Sequence, residues 1–211
     1  KPKSLDEKIA FRAEHLTAYQ NEDLAARYRD MLRPIQDPKL KEAVAKGYHK
    51  LLAYKDEYEV ARLHLETEQK ARDTFDGDFK MTFHLAPPLI SEEGSDGRPK
   101  KKTFGPKMLT GFRWLARMKR LRGTALDPFG RTEERRMERA LIAQYEADMH
   151  AWLPKAAPEI MEPLIALAEL PLSIRGFGPV KLANAATAEK RREELLAALR
   201  DGGKGLAHAA E

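Results

Sequence analysis

The stretch RTEERRMERALIAQYEADMHAW (Arg131–Trp152) decides the fold. Thr132 stands where a side-chain oxygen caps the free amides of a helix start, and Glu133 and Glu134 follow where the positive end of the helix dipole favours carboxylates. From there Met137, Leu141, Tyr145, Asp148 and Trp152 recur at three- and four-residue spacing, giving one mainly apolar face that runs to Pro154. A chain that spends over twenty residues on one amphipathic helix needs other helices to cover that face, and the flanking sequence supplies them.

Upstream, Ser4 with Glu7 three residues on has the spacing of a capping box, and Leu5, Ile9, Ala13 and Leu16 share a face behind it. A second helix is predicted from Glu22 to about Leu32, stopped before Pro34. Pro38 opens a third, with Leu40, Val44, Tyr48, Leu51 and Leu52 as its buried stripe. The segment Ala53–His64 either continues that helix or restarts as a fourth, with Val60 and Leu63 as its core positions. From Asp78 the period changes to two: Phe79, Met81 and Phe83 alternate with Lys80, Thr82 and His84, which reads as a strand until Pro87 and Pro88 end it. A polar loop and return strand make a small hairpin with its tip near Gly94–Gly97. Helix resumes after Pro106 with Met108, Phe112, Leu115 and Ala116. Beyond Trp152 two more helices are predicted, near Glu159–Leu170 and from Pro179 to about Leu199. The fold class is therefore mainly α, a helical array with one small β-hairpin. The domain reading is a single helical domain over 1–200, the hairpin near 78–104, and a flexible tail over 201–211.

Composition narrows function. The 211 residues include no Cys, so disulfides, thiolate nucleophiles, Cys-held iron-sulfur clusters and Cys-based zinc sites are excluded within the chain. No apolar run reaches the ~20 residues of a membrane helix, and the opening KPKSLDEKIA has no apolar signal-peptide stretch, so the expectation is a cytoplasmic protein. The chain starts at Lys1 rather than Met, and it is expected to be a piece of a longer polypeptide. Net charge is +5, from 38 basic and 33 acidic residues, and most of this charge reads as solvated helix surface. Because acidic residues are interleaved with nearly every basic stretch, nucleic-acid binding is not favoured, although the Lys100–Lys102 run after Arg98 keeps it as the alternative.

No catalytic motif is present. Asp76-Gly77-Asp78 is the string nearest to the Gly-Asp-Gly of a thiamine diphosphate site and lacks the following Asn. There is no phosphate-binding loop ending in Gly-Lys-Ser/Thr, no paired-His zinc motif and no Glu-x-x-His pair for a di-iron bundle. Glu146 and His150 lie four apart on one helix face, where a surface hydrogen bond is the simple account. The metal-site expectation is none. Two polar groupings remain. In IRGFGPVK (Ile174–Lys181), Gly176 and Gly178 permit close backbone approach at a helix start, and Arg175 and Lys181 add charge that suits a phosphate or carboxylate; the same glycines equally make a tight helix–helix connection. Tyr54, Lys55, Asp56, Glu57 and Tyr58, with Arg62 and His64, form a mixed donor–acceptor cluster that could hold a carboxylate or, as ion-pair networks usually do, fix two helices.

The strings AYKDEYEVARLH, FHLAPPL, FGPKML, LRGTALDPFGRTEERRMERALI and IRGFGPVKLANA occur in this order over about Ser4–Arg200. Together they resemble the C-terminal domain of the long, fused bacterial indolepyruvate:ferredoxin oxidoreductases, in the 2-oxoacid:acceptor oxidoreductase family. The resemblance implies a parent that decarboxylates aryl-pyruvates oxidatively with thiamine diphosphate, magnesium, coenzyme A and iron-sulfur clusters and reduces ferredoxin. With neither a thiamine motif nor Cys here, those cofactors would belong to upstream catalytic domains of the same polypeptide, and none is expected in this chain. The resemblance further implies a homo-oligomeric parent and a non-catalytic bracing or interaction role for this domain, with Arg175 and Lys181 as its candidate contact to an anionic cofactor group.

Overall fold

The computed structural model describes residues 4–76, 81–85 and 102–202. Among them are eight α-helices and one pair of short strands: α1 Leu5–Tyr19, α2 Glu22–Leu32, α3 Pro38–Leu52, α4 Glu57–Thr74, β1 Phe83–Leu85, β2 Lys102–Phe104, α5 Met108–Arg117, α6 Glu133–Trp152, α7 Met161–Glu169 and α8 Gly178–Arg200. The protein is mainly α, as the periodicity requires. No helix among the described residues is long and apolar enough to cross a membrane. The hairpin tip at Gly94–Gly97, the start of the alternating run at Phe79 and Lys80, Lys100 and Lys101 of the basic run, and the tail from residue 203 lie outside the described residues.

Contacts divide the chain into two compact units, Lys1–Tyr54 with Asp127–Glu211, and Lys55–Leu126. The reading of 1–200 as one domain did not draw this division.

Capping sets most boundaries of the first unit. The Ser4 hydroxyl accepts from the Glu7 amide at 3.1 Å and the Glu7 carboxylate accepts from the Ser4 amide at 3.1 Å, completing the box. Asn21 accepts from the Leu24 amide at 3.0 Å, Asp37 from the Leu40 amide at 2.8 Å and Thr132 from the Arg135 amide at 3.3 Å. The core centres on α3, whose Leu40, Val44, Tyr48, Leu51 and Leu52 are buried as read from sequence. Leu16 of α1, Tyr28 of α2, Ile142, Tyr145 and Met149 of α6, Leu164 and Leu167 of α7 and Leu195 of α8 surround them.

The tightest point is Gly47. A Cβ built there would stand 2.0 Å from the carbonyl oxygen of Ala168 and 3.1 Å from the Tyr145 hydroxyl, so α3 and α7 touch backbone to backbone. The Tyr145 hydroxyl donates to that same Ala168 carbonyl at 3.1 Å, in the last turn of α7 where helix carbonyls run short of backbone partners.

In the second unit Asp56 caps α4, accepting from the Glu59 amide at 2.8 Å. The segment Ala53–His64 thus restarts rather than continues, and its helix runs ten residues past His64. The buried positions of α4 are Tyr58, Glu59, Ala61 and Glu68, while Val60 and Leu63 are half-buried. Val60 and Leu63 sit beside rather than on the inward face, which follows Tyr58, Ala61, Leu65 and Glu68 at spacings of three and four. β1 and β2 pair antiparallel with Phe83 opposite Phe104. Phe83, Leu109, Phe112 and Ala61 form a small core, which Leu65, Met81, Phe104, Met108 and Leu115 border.

Two glycine substitutions should separate close approach from helix propensity. Gly47→Ala is expected to lose about 2 kcal/mol or more, since overpacking against backbone outweighs the gain of about 1 kcal/mol from propensity. Gly111→Ala in α5, where a Cβ meets only Met108 at 3.8 Å, should gain about 0.5–1 kcal/mol. Urea unfolding midpoints of the two variants check both signs.

A histidine pair gives a pH dependence. His15 Nδ1 and His49 Nε2 lie 3.1 Å apart between α1 and α3. Burial, then His15 and the Arg12 guanidinium, lower His49 from 6.5 to about 4. The folded state favours the neutral ring, so this contribution is complete above the unfolded value and is lost as pH falls from about 6.5 toward 4. Stability should drop by about 2–3 kcal/mol over that interval. In His49→Gln the slope of stability against pH should flatten there.

Candidate functional site

The segment Ile174–Lys181 forms a helix start of the kind its glycines suggested. Gly176 (φ 93°) and Gly178 (φ 52°) lie in the left-handed region, and α8 begins at Gly178 with no side-chain cap on its first amides. A Cβ at Gly176 would meet Val180 Cγ1 at 2.8 Å, so this turn leaves no room for a side chain.

The charges, however, are used inside the protein. Lys181 Nζ contacts the carboxylate of Glu138 and lies 3.6 Å from that of Glu134. Arg175 Nε donates to the Leu172 carbonyl at 3.0 Å, and Asn184 donates to the Arg175 carbonyl at 2.8 Å. Glu138 is buried and also pairs with Arg135, whose guanidinium stands 5.5 Å from the centre of the Tyr54 ring. Burial holds the Glu138 carboxyl above the usual carboxylate range, against the pull of Arg135 and Lys181. Burial, then repulsion from Lys181 and Arg175, holds the nearby Lys50 ammonium below its ordinary value. Arg175, Lys181 and Lys50 thus make a locally positive helix start whose best-placed cation is already matched by two carboxylates.

The residues of the second predicted cluster are divided between the two units. Tyr54 belongs to the first unit, where its carbonyl accepts from the Tyr19 hydroxyl at 2.9 Å. Lys55, Glu57, Arg62 and His64 belong to the second. Arg62 grips Glu59 through two hydrogen bonds of 2.8 and 2.7 Å and also contacts Glu66. His64 stacks on Phe112 with centroids 4.9 Å apart and meets the edge of Phe83 at 5.3 Å, and burial lowers its pKa. Asp56, which the sequence places within this cluster, has a partner the sequence does not show. It is buried with Arg122, donor and acceptor joined by two hydrogen bonds, and the Arg122 guanidinium also stands 5.5 Å from the centre of the Tyr58 ring. No sequence signal links Asp56 to a residue 66 positions away.

A groove that the sequence did not announce lies between α2 and α6. It has a volume of about 520 Å³ and is lined by Arg27, Asp30 and Met31 of α2 and Glu146, Met149 and His150 of α6, with Tyr48 at its floor. That size falls within the range of small-molecule sites. Glu146 does not bond to His150. It accepts from the buried Tyr48 hydroxyl and from Arg27 at 2.6 Å, and burial with Glu146 beside it pushes the Tyr48 phenol well above its ordinary value. Among the described residues no group of His, Asp and Glu is arranged to hold a metal ion.

Replacing Lys181 should reveal its structural role. Lys181→Met is expected to cost about 1–3 kcal/mol at pH 7, because the buried Glu138 carboxylate keeps only Arg135. A carboxyl with a raised folded pKa favours folding below its ordinary range and loses that advantage as pH rises through the folded value. Removing Lys181 raises that value further, so the penalty should shrink toward pH 4.5. Chemical denaturation at the two pH values reads the difference.

No curated protein and no solved structure matches the chain. A family described as a family of unknown function, DUF6537, matches residues 5–194. With nearly all of its length spanned by that match, the chain belongs to the DUF6537 family.

Proposed function

We propose that this chain is a non-catalytic bracing and interaction domain of a thiamine-dependent 2-oxoacid oxidoreductase that passes electrons from indolepyruvate to ferredoxin in the cytoplasm. The ordered strings from AYKDEYEVARLH to IRGFGPVKLANA support the parent's identity. The non-catalytic role rests on one observation: the buried charges are spent on partners in the same chain. Asp56 pairs with Arg122, Glu59 with Arg62, Glu68 with Arg72, Glu138 with Arg135 and Lys181, and Asp148 with Arg192, while Asp127 accepts from the Phe129 amide at 3.1 Å. A general acid, base or nucleophile has to face a cleft with an unsatisfied valence, and these groups instead pair within one helix or turn or, for Asp56, Glu138 and Asp148, across to another element. Thiamine diphosphate, magnesium, coenzyme A and the clusters then belong to the catalytic domains of the parent, which would be this domain's partners.

The purified chain supplied with indolepyruvate, thiamine diphosphate, magnesium, coenzyme A and a viologen acceptor should reduce no acceptor. It should bind a separately expressed polypeptide carrying the parent's catalytic domains. Turnover by the chain alone would refute the non-catalytic role, and failure to bind the catalytic polypeptide would refute the assignment to this parent.

A further inference from the structure

The interleaving of opposite charges that characterises most of the chain fails over 97–126. That stretch holds ten cations, Arg98, Lys100, Lys101, Lys102, Lys107, Arg113, Arg117, Lys119, Arg120 and Arg122, and no Asp or Glu. Of these, Arg122 is buried against Asp56. Lys107, Arg113, Arg117 and Arg120 are exposed, and none of the four takes part in an ion pair with a described residue.

At 100° per residue, Lys107, Thr110, Arg113, Trp114 and Arg117 fall within one face of the α5 helix and its first turn. The structure agrees: Leu109 and Phe112 point into the small core of this unit, while Thr110, Arg113, Trp114 and Arg117 are exposed. The Trp114 ring is 63% exposed. A large indole left in water between two unpaired arginines combines the two side-chain types most enriched at the energetic centres of protein interfaces.

We infer that this face of α5 docks an acidic patch of a second protein, with Trp114 seated in an apolar notch and Arg113 and Arg117 pairing carboxylates on either side. The extent of the face favours a protein over a nucleic acid. From Lys107 to Arg117 it runs about 15 Å, the reach of a compact acidic patch rather than of a long polyanion tracked along its backbone. One exposed indole also gives no succession of platforms for stacked bases. This inference stands apart from the oxidoreductase assignment.

The test uses the full chain and a fluorescein-labelled 16-residue peptide of glutamates with two central leucines, followed by anisotropy in low salt. The peptide is expected to bind, to bind at least ten-fold more weakly to R113E/R117E, and to change less than two-fold for K190E on the exposed surface of α8. Trp114→Ala, which leaves the charge alone, should weaken binding five-fold or more. Should R113E/R117E alter the far-ultraviolet circular dichroism, R113Q/R117Q carries the same expectation. Absence of binding, equal losses in R113E/R117E and K190E, or no effect of Trp114→Ala would overturn the inference. So would tighter binding of a 16-nucleotide oligothymidylate than of the peptide, which would give the face to nucleic acid.

Discussion

The first unit depends on one contact, the meeting of Gly47 with the Ala168 carbonyl. With no side chain at Gly47, α3 and α7 approach until backbone meets backbone, and the Tyr145 hydroxyl closes the gap by donating to the oxygen exposed there. The tyrosine rings then stack outward from that point. Tyr145 lies on Tyr48 with centroids 5.7 Å apart, Tyr48 on Tyr28 at 6.1 Å, and the Tyr28 hydroxyl donates to the Ala45 carbonyl at 3.1 Å. Each ring buries a large apolar area, and each hydroxyl needs a partner, so the stack fixes register as well as adhesion. α1, α2, α6 and α7 all pack on α3, and their separations follow from this spacing.

A second set of constraints joins α6 to α8. Glu138 meets Lys181, Gln144 donates to Glu189 at 3.0 Å, and Asp148 receives two hydrogen bonds from Arg192 at 2.6 and 2.8 Å. Buried ion pairs return little net stability over apolar packing, but breaking one leaves a charge in a place that cannot solvate it. Their effect here is to hold α8, whose apolar contacts are mostly alanines and a few leucines near its end, in a single register along α6.

The helices were legible wherever local rules govern them. Ser4, Asn21, Asp37 and Thr132 cap the helices they precede, Pro34 and Pro154 stop them, and α3 buries the stripe its spacing gives. The inward face of α4 runs through Tyr58, Ala61, Leu65 and Glu68 rather than Val60 and Leu63, because the small core it meets is built by residues far along the chain, Phe83, Leu109 and Phe112. The division into two units escaped notice because it depends on contacts between residues far apart, which periodicity does not record. Of the candidate sites, the α8 start was legible in its glycines, yet the carboxylates that occupy Lys181 come from another helix. The α2–α6 groove arises from the same limitation, as Arg27, Tyr48 and Glu146 share no local pattern.

The Asp56–Arg122 pair has a topological consequence. It fastens the two ends of the second unit to each other, so the chain departs and returns at neighbouring points and the excursion between these two residues, 66 positions apart, is clasped at its base. Once such a clasp exists, lengthening the segment beyond it costs only about 0.6 kcal/mol per doubling of the loop. Changes of length inside the excursion therefore leave its two anchored ends, and the helix start that Asp56 caps, in place.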